Sequence, residues 1–273
     1  MRTTTAVCVA VLVLVAGQAF AAGKTLMMAT TTSTDDTGLL KVLAPFFEKE
    51  TGIELKWTAT GSGKALELGR NCDVDVLLVH APEAEKKYVA DGFGTGRTQI
   101  MYNDFVLVGP AKDAAKVKGK AVAEALKTIA AAKGLFVSRG DDSGTHKMEL
   151  SLWKAAGLIV PDKEAWYVQA GQGMMATLNM AAERGGYALT DRGTYITYEA
   201  QHKGAPVLVI LVEGDAALAN QYSVIPVNPA KCKNVKSDLA AKYEEWMAAP
   251  STQKRIGEFT LHGRQLFFPN AGK

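Results

Sequence analysis

A chain of 273 residues, 48% hydrophobic and 22% charged, carries more apolar material than one core usually holds, so two lobes are expected. A formal charge of +3 is no polybasic field, which argues against nucleic acid and anionic membrane as partners. Its three cysteines and four histidines show no C-x-x-C or His-rich spacing, so no metal cation and no cofactor is expected.

The opening "MRTTTAVCVAVLVLVAGQAFAAGK" has one positive charge at Arg2, an apolar run from Ala6 to Val15, and then Ala19-Phe20-Ala21. The run is shorter than the roughly 20 residues a membrane span needs, and the order is that of a secretory signal cleaved after Ala21. The mature protein is expected to be soluble and exported. Cys8 leaves with the signal, and in an oxidising compartment the remaining Cys72 and Cys232 are expected to form one structural disulfide.

Beyond the signal, "KTLMMAT" reads as a buried strand and "DTGLLKVLAPFFEKETG" as one amphipathic helix, with Leu39, Leu40, Leu43, Phe46 and Phe47 inward and Gly52 as its stop. "IELKWTAT" is a second strand, "GSGKALELGR" a glycine turn opening a helix, and "VDVLLVH" a strand buried on both faces. "QIMYNDFVLVGP" is a long strand, followed by an alanine-rich helix over residues 114–134 and the strand "LFVSR". A helix in "HKMELSLWKAAG" carries Leu152, Trp153 and Ala156 on one stripe. "AWYVQAGQGMMATLNMAAERGG" gives a strand, a turn and a helix, and "YALTD" and "VLVILV" are further strands. Such alternation indicates α/β lobes with mostly parallel sheets flanked by helices.

Four strand ends hand over to helices through small hydroxyl or glycine residues: "ATTTSTDDTG", "TGSGKAL", "SRGDDSGTH" and "AGQGMMATL". Ligands of open α/β sheets sit at strand carboxyl ends, where helix N-termini offer unpaired N–H groups. Serine and threonine there also serve as plain N-caps. Arg139 tips the balance toward a small anion, because its planar fork suits a tetrahedral oxyanion. Ser143 and His146 raise the alternative of an extracytoplasmic serine hydrolase, but "GDDSGTH" lacks the G-x-S-x-G elbow. Asp141, Asp142 and His146 make a poor cation site beside an arginine, and the aspartates are better read as capping the helix or orienting Arg139.

These stretches, with "TATGSGKALELGRNCDVDVLLVHAP", "YNDFVLVGP", "SRGDDSGTHKMELSLWKAAG" and "ALTDRGTY", resemble the Tup-type tungstate-binding proteins, type II periplasmic solute receptors of ABC importers. The resemblance covers the mature chain and implies a two-lobe fold with the ligand in the cleft, no enzymatic activity, a membrane permease as partner and a monomeric state. Its ligand set would be Thr30, Thr31, Thr32 or Ser33 of the first loop and Ser62. The second lobe would add Arg139, Ser143, Gly144 and Thr145, with backbone N–H groups near Gly173 and Met174. Receptors for molybdate, sulfate or phosphate are the alternatives within the class. Phosphate receptors of this fold place an aspartate just before an A-P dipeptide, where this chain has His80. A site of donors alone suits a proton-free dianion, whereas hydrogen phosphate needs an acceptor. His80 equally reads as a satisfied strand-end histidine. The expected lobes are residues 22–104 with 223–273, and 105–222, with crossings at "FVLVGP" and "YSVIPVN".

Overall fold

In the computed structural model, which describes residues 24–272, the first strand β1 (Lys24–Thr31) carries Leu26, Met28, Ala29 and Thr30 with no exposed surface. The signal segment and its cleavage after Ala21 lie outside the described residues. The helix expected over 36–52 is α2 (Leu39–Thr51), and a single turn, α1 (Thr32–Asp36), precedes it where the sequence reading had a loop. Gly38 separates them at φ +80°, a conformation glycine adopts without steric cost. Leu39, Leu40, Leu43 and Phe47 form the buried stripe of α2, while Phe46, expected inward, is 40% exposed beneath the Arg255 guanidinium. Phe46 falls at the edge of the stripe, about 100° round the helix from Phe47, so one side of its ring is left to solvent and to Arg255.

The chain continues through β2 (Ile53–Thr60), α3 (Ser62–Arg70), β3 (Val76–Val79), α4 (Pro82–Ala90) and the long strand β4 (Thr98–Pro110). Helix α5 (Val122–Ala132) begins well after residue 114, because Lys116 and Gly119 take left-handed backbone conformations that no helix passes through. Then come β5 (Phe136–Ser138), α6 (Gly144–Ala155), β6 (Tyr167–Gln169), α7 (Met174–Arg184), β7 (Ala188–Asp191), α8 (Arg192–Gln201) and β8 (Leu208–Val212). A 3-10 turn leads to β9 (Ala219–Pro226), α9 (Ser237–Ala248), α10 (Pro250–Glu258) and three two-residue strands, β10 (Thr260–Leu261), β11 (Arg264–Gln265) and β12 (Phe268–Pro269).

The sheet is mixed rather than mostly parallel. Strands β2, β1 and β3 run parallel, as do β5 and β6, but β9 runs against β3. Strand β4 belongs to both halves. Its residues 98–104 pair with β9, ending at Asp104 opposite Ala219, and from Phe105 it pairs with β7 and then β8. A strand shared in this way runs antiparallel to its neighbours on each side and passes directly from one core to the other.

Of four clusters of buried side chains, the two larger lie one in each half. One packs Leu26, Leu40, Phe47, Val76, Met101, Val224, Tyr243 and Phe267, and the other Phe105, Leu107, Leu126, Phe136, Trp153, Tyr167 and Leu189. In the second, Phe136 meets Trp153 edge-on at 5.3 Å and Tyr167 face-on at 5.8 Å, fixing α6 over the short β5–β6 pair. A disulfide joins Cys72, just past α3, to Cys232 in the loop before α9, with Cα atoms 5.3 Å apart.

Candidate anion-binding site

Each strand of the upper rim ends where a helix begins, and the caps determine which backbone donors remain free. Thr31 caps α1 by accepting from the Thr34 N–H, and Ser143 caps α6 by accepting from the His146 N–H. Gly61 and Gly173 cap α3 and α7 with no side-chain acceptor, so the first N–H groups of those helices are left for other partners. All four caps are extended, the geometry that turns a strand into a helix.

A cavity of about 30 Å³ lies where three of these ends converge, lined by Thr31, Thr32, Ser33, Ser62, His80, Arg139, Ser143, Gly144 and Thr145. That is room for roughly two water-sized spheres, the scale of a small polyatomic ion. A wider cavity of about 390 Å³ adjoins it, sharing Thr32, Ser33 and Arg139 and adding Gly173, Met174, Asp36 and Asp191. The residues expected from sequence therefore divide. Gly173 and Met174 border the outer cavity, and Thr30 borders neither, because its fully buried hydroxyl donates to the Leu78 carbonyl at 2.8 Å.

Arg139 stands at the end of β5, its carbonyl accepting from the Gly171 N–H at 3.0 Å. Its Nε donates to Asp141 Oδ2 at 2.8 Å, and among the described residues its two terminal nitrogens have no hydrogen-bond partner. Asp141 is thus the orienting carboxylate. Burial pushes its carboxyl up, but the Ser143 hydrogen bonds and the Arg139 charge outweigh that and hold it below the usual range. Asp142 pairs instead with Lys147 at 3.1 Å, out in solvent.

Ser143 is a helix cap, and among the described residues no histidine accepts from its hydroxyl. His146 turns its Nδ1 to the Asp142 N–H at 3.0 Å, accepting that hydrogen bond instead of one from the serine hydroxyl. A nucleophile needs the opposite arrangement.

His80 ends β3 inside the small cavity wall. Its Nδ1 meets Asn220 Oδ1 at 2.9 Å, and Asn220 uses its amide N–H groups on Asn103 Oδ1 and the Tyr222 hydroxyl. The proton therefore sits on Nδ1, and the bare Nε2 faces the hydroxyls of Thr31 at 2.9 Å and Ser33 at 3.2 Å. Burial lowers the His80 pKa, opposed by the Asn220 hydrogen bond and the Asp191 charge, so the ring is neutral near pH 7. The site is consequently not made of donors alone. Its hydroxyls can accept as well as donate, and its one side-chain atom that only accepts, His80 Nε2, is already engaged by the protein's own Thr31 hydroxyl.

Two cleft carboxylates escaped the sequence reading. Asp191 caps α8, accepting from the Thr194 N–H and hydroxyl at 2.8 and 2.7 Å. Asp36 closes α1, its pKa raised by burial and then by Asp35 and Asp191. The pattern of a strand followed by D-R-G-T was the available signal for Asp191, since aspartate is a preferred cap. Both carboxylates face the outer cavity and neither lines the small one.

A PBP superfamily domain matches residues 16–251. The chain is 51% identical over 239 residues to the tungstate-binding protein TupA of Campylobacter jejuni, covering 88% of each, and 49% identical over 253 residues to that of Peptoclostridium acidaminophilum, covering 91% and 86%. The chain belongs to the TupA family of tungstate-binding proteins. Among solved structures, TupA from Desulfovibrio alaskensis G20 superposes with a TM-score of 0.88 at 67% identity, covering 91% of this chain and 99% of that one. The binding protein described as the tungstate ABC transporter from Geobacter sulfurreducens gives 0.75 at 50% identity, covering 86% and 98%. The fold of the family is the two-lobed type II periplasmic binding fold, and its members are solute-binding proteins rather than enzymes.

Proposed function

We propose that this protein captures tungstate in the periplasm and delivers it to the permease of an ABC importer. Molybdate is a second ligand of the same site, the chain acts as a monomer, and its signal is cleaved after Ala21. The observation that carries the reading is the small cavity, which presents hydroxyls, the N-termini of α3 and α6 and the Arg139 fork, with no carboxylate in its lining. A dianion is stabilised there by oriented dipoles and one guanidinium. In the outer cavity it would meet Asp36 and Asp191.

The ion is held by Thr32, Ser33, Ser62, Arg139, Ser143, Gly144 and Thr145, three hydroxyl-bearing or glycine positions coming from the second half of the chain together with the guanidinium. A Cβ added at Gly144 would lie 3.6 Å from His80 Cε1 and 3.8 Å from Ser62 Oγ, which supports a site closed between the halves. We place the lobes at residues 22–104 with the C-terminal part, and 105–218. Strand β4 changes partners at Asp104, and β9 pairs with first-lobe strands from Ala219 onward, slightly ahead of the 222 expected from sequence.

Calorimetry with tungstate, molybdate, sulfate and phosphate tests the reading. Tungstate should bind at one site per chain and hydrogen phosphate poorly, because no carboxylate lines the cavity to take its proton and His80 Nε2 is already engaged by Thr31. Phosphate binding as tight as tungstate would refute it.

A further inference from the structure

His80 is the meeting point of two sets of hydrogen bonds. On one side, Asn103 of β4, Asn220 of β9 and the imidazole Nδ1 form a buried chain at the place where β4 passes between the halves. On the other, Nε2 faces the hydroxyls of Thr31 and Ser33, which both line the small cavity. The ring also stacks on Tyr222 at 4.7 Å, so its plane is fixed as well as its two nitrogens.

Thr31 Oγ1 lies within 3.2 Å of four partners: the Thr34 N–H, the Thr34 hydroxyl, the Ser33 hydroxyl and His80 Nε2. A hydroxyl has one proton and two lone pairs, and the Thr34 N–H can only donate. Of the remaining partners Nε2 is the one pure acceptor, and at 2.9 Å it is closer to Thr31 than to Ser33. Thr31 therefore gives its proton to the ring. The Ser33 proton is left to point into the cavity.

We propose that His80 is a positioning residue for the anion, whose Nε2 takes the Thr31 hydroxyl and thereby fixes the first loop with the Ser33 hydroxyl free to donate. The inference rests on the proposed function, and it assigns His80 no contact with the ion. Donors held in place before the ion arrives lose less freedom on binding, which is the gain such a residue supplies.

The test uses the full mature chain and two substitutions that each retain half of the ring's hydrogen bonding. His80→Gln carries an amide oxygen about as far along the side chain as Nε2, and His80→Asn carries an amide N–H about where Nδ1 lies, able to donate to Asn220 Oδ1 in its place. Tungstate affinity is measured by calorimetry, with melting temperature as the control for folding. The expected result is that His80→Gln stays within about 3-fold of the parent while His80→Asn is weaker by roughly 10-fold, the equivalent of one lost hydrogen bond. His80→Asn binding as tightly as His80→Gln would overturn the proposal, since the ring would then serve only the Asn220 side or the packing.

Imidazole 15N signals give a second measurement that depends on neither variant. In the ion-free protein near pH 7.5, Nδ1 should carry the proton and Nε2 should not, and a protonated Nε2 would overturn the proposal. Should the parent protein bind no tungstate at all, the proposed function fails, and the ring signals still decide the hydrogen-bond network separately.

Discussion

Replacing Arg139 with lysine keeps one positive charge but removes the planar fork. In the structure Arg139 lines the cavity with its Nε held by Asp141 at 2.8 Å, which leaves the two terminal nitrogens without a partner among the described residues. Lysine offers a single point donor on a flexible stem, and Asp141 is positioned to capture it. At least one charge-assisted hydrogen bond to the ion is lost, worth about 1.5–3 kcal/mol, or roughly 10- to 150-fold in dissociation constant. Arg139→Glu should abolish binding, because it sets a carboxylate against a dianion in a poorly screened cavity. Calorimetry with tungstate, paired with thermal melting, measures both. Arg139→Lys and Arg139→Glu proteins that bound tungstate like the parent at an unchanged melting temperature would make Arg139 a structural residue and remove the charged anchor from the site.

The disulfide between Cys72 and Cys232 closes a long loop of separation 160, so its reduction should cost about 2–5 kcal/mol, read by calorimetry as a fall in melting temperature. Denatured, unreduced protein should show no reactive thiol from either residue, and a titrating pair would refute the bridge. Glu149 is buried, accepting from Trp153 Nε1 at 3.1 Å and the Tyr167 hydroxyl at 2.6 Å, and burial raises its pKa above the ordinary carboxyl value. A raised carboxyl stabilises the fold below its unfolded pKa and loses that contribution as pH rises through the folded one. The melting temperature of Glu149→Gln should therefore gain on the parent between pH 4 and pH 8, and an equal difference at both would contradict this. Gly140 sits at φ +62°, and a Cβ there would come within 2.8 Å of Gln169 Cβ. Gly140→Ala should lose about 1–2 kcal/mol of stability and, by displacing Arg139, weaken tungstate binding; an unchanged melting temperature would show that the loop yields.

Much of this was legible because the signals are local. The strand-to-helix handovers at Thr31, Gly61, Ser143 and Gly173 are readable from residue type alone, since caps and turns depend on immediate neighbours. Other features depend on partners distant in sequence. Thr30 looks like Thr31 in a run of threonines, and only the pairing of β1 with β3 shows that its hydroxyl is spent on Leu78. The division between a small cavity and an outer one is likewise tertiary, so Gly173 and Met174 read as equal to Ser62 until the loops are placed. Helix α9, with Leu239, Ala240, Tyr243, Trp246 and Met247 buried at helical spacing, could have been read from its pattern. Helix α8 is harder, because its glycine, threonines and tyrosines are weak helix formers held by the Asp191 cap and by burial of Tyr195 and Tyr198.

The most direct measurement is anomalous diffraction at a tungsten absorption edge from crystals of the tungstate complex. A single strong peak is expected in the small cavity, between Ser62, Arg139 and Gly144, within hydrogen-bonding range through the ion's oxygens and clear of Asp36 and Asp191. A peak in the outer cavity beside Gly173 and Asp191, or none within the cleft, would contradict the assignment of the carboxylate-free cavity as the anion site.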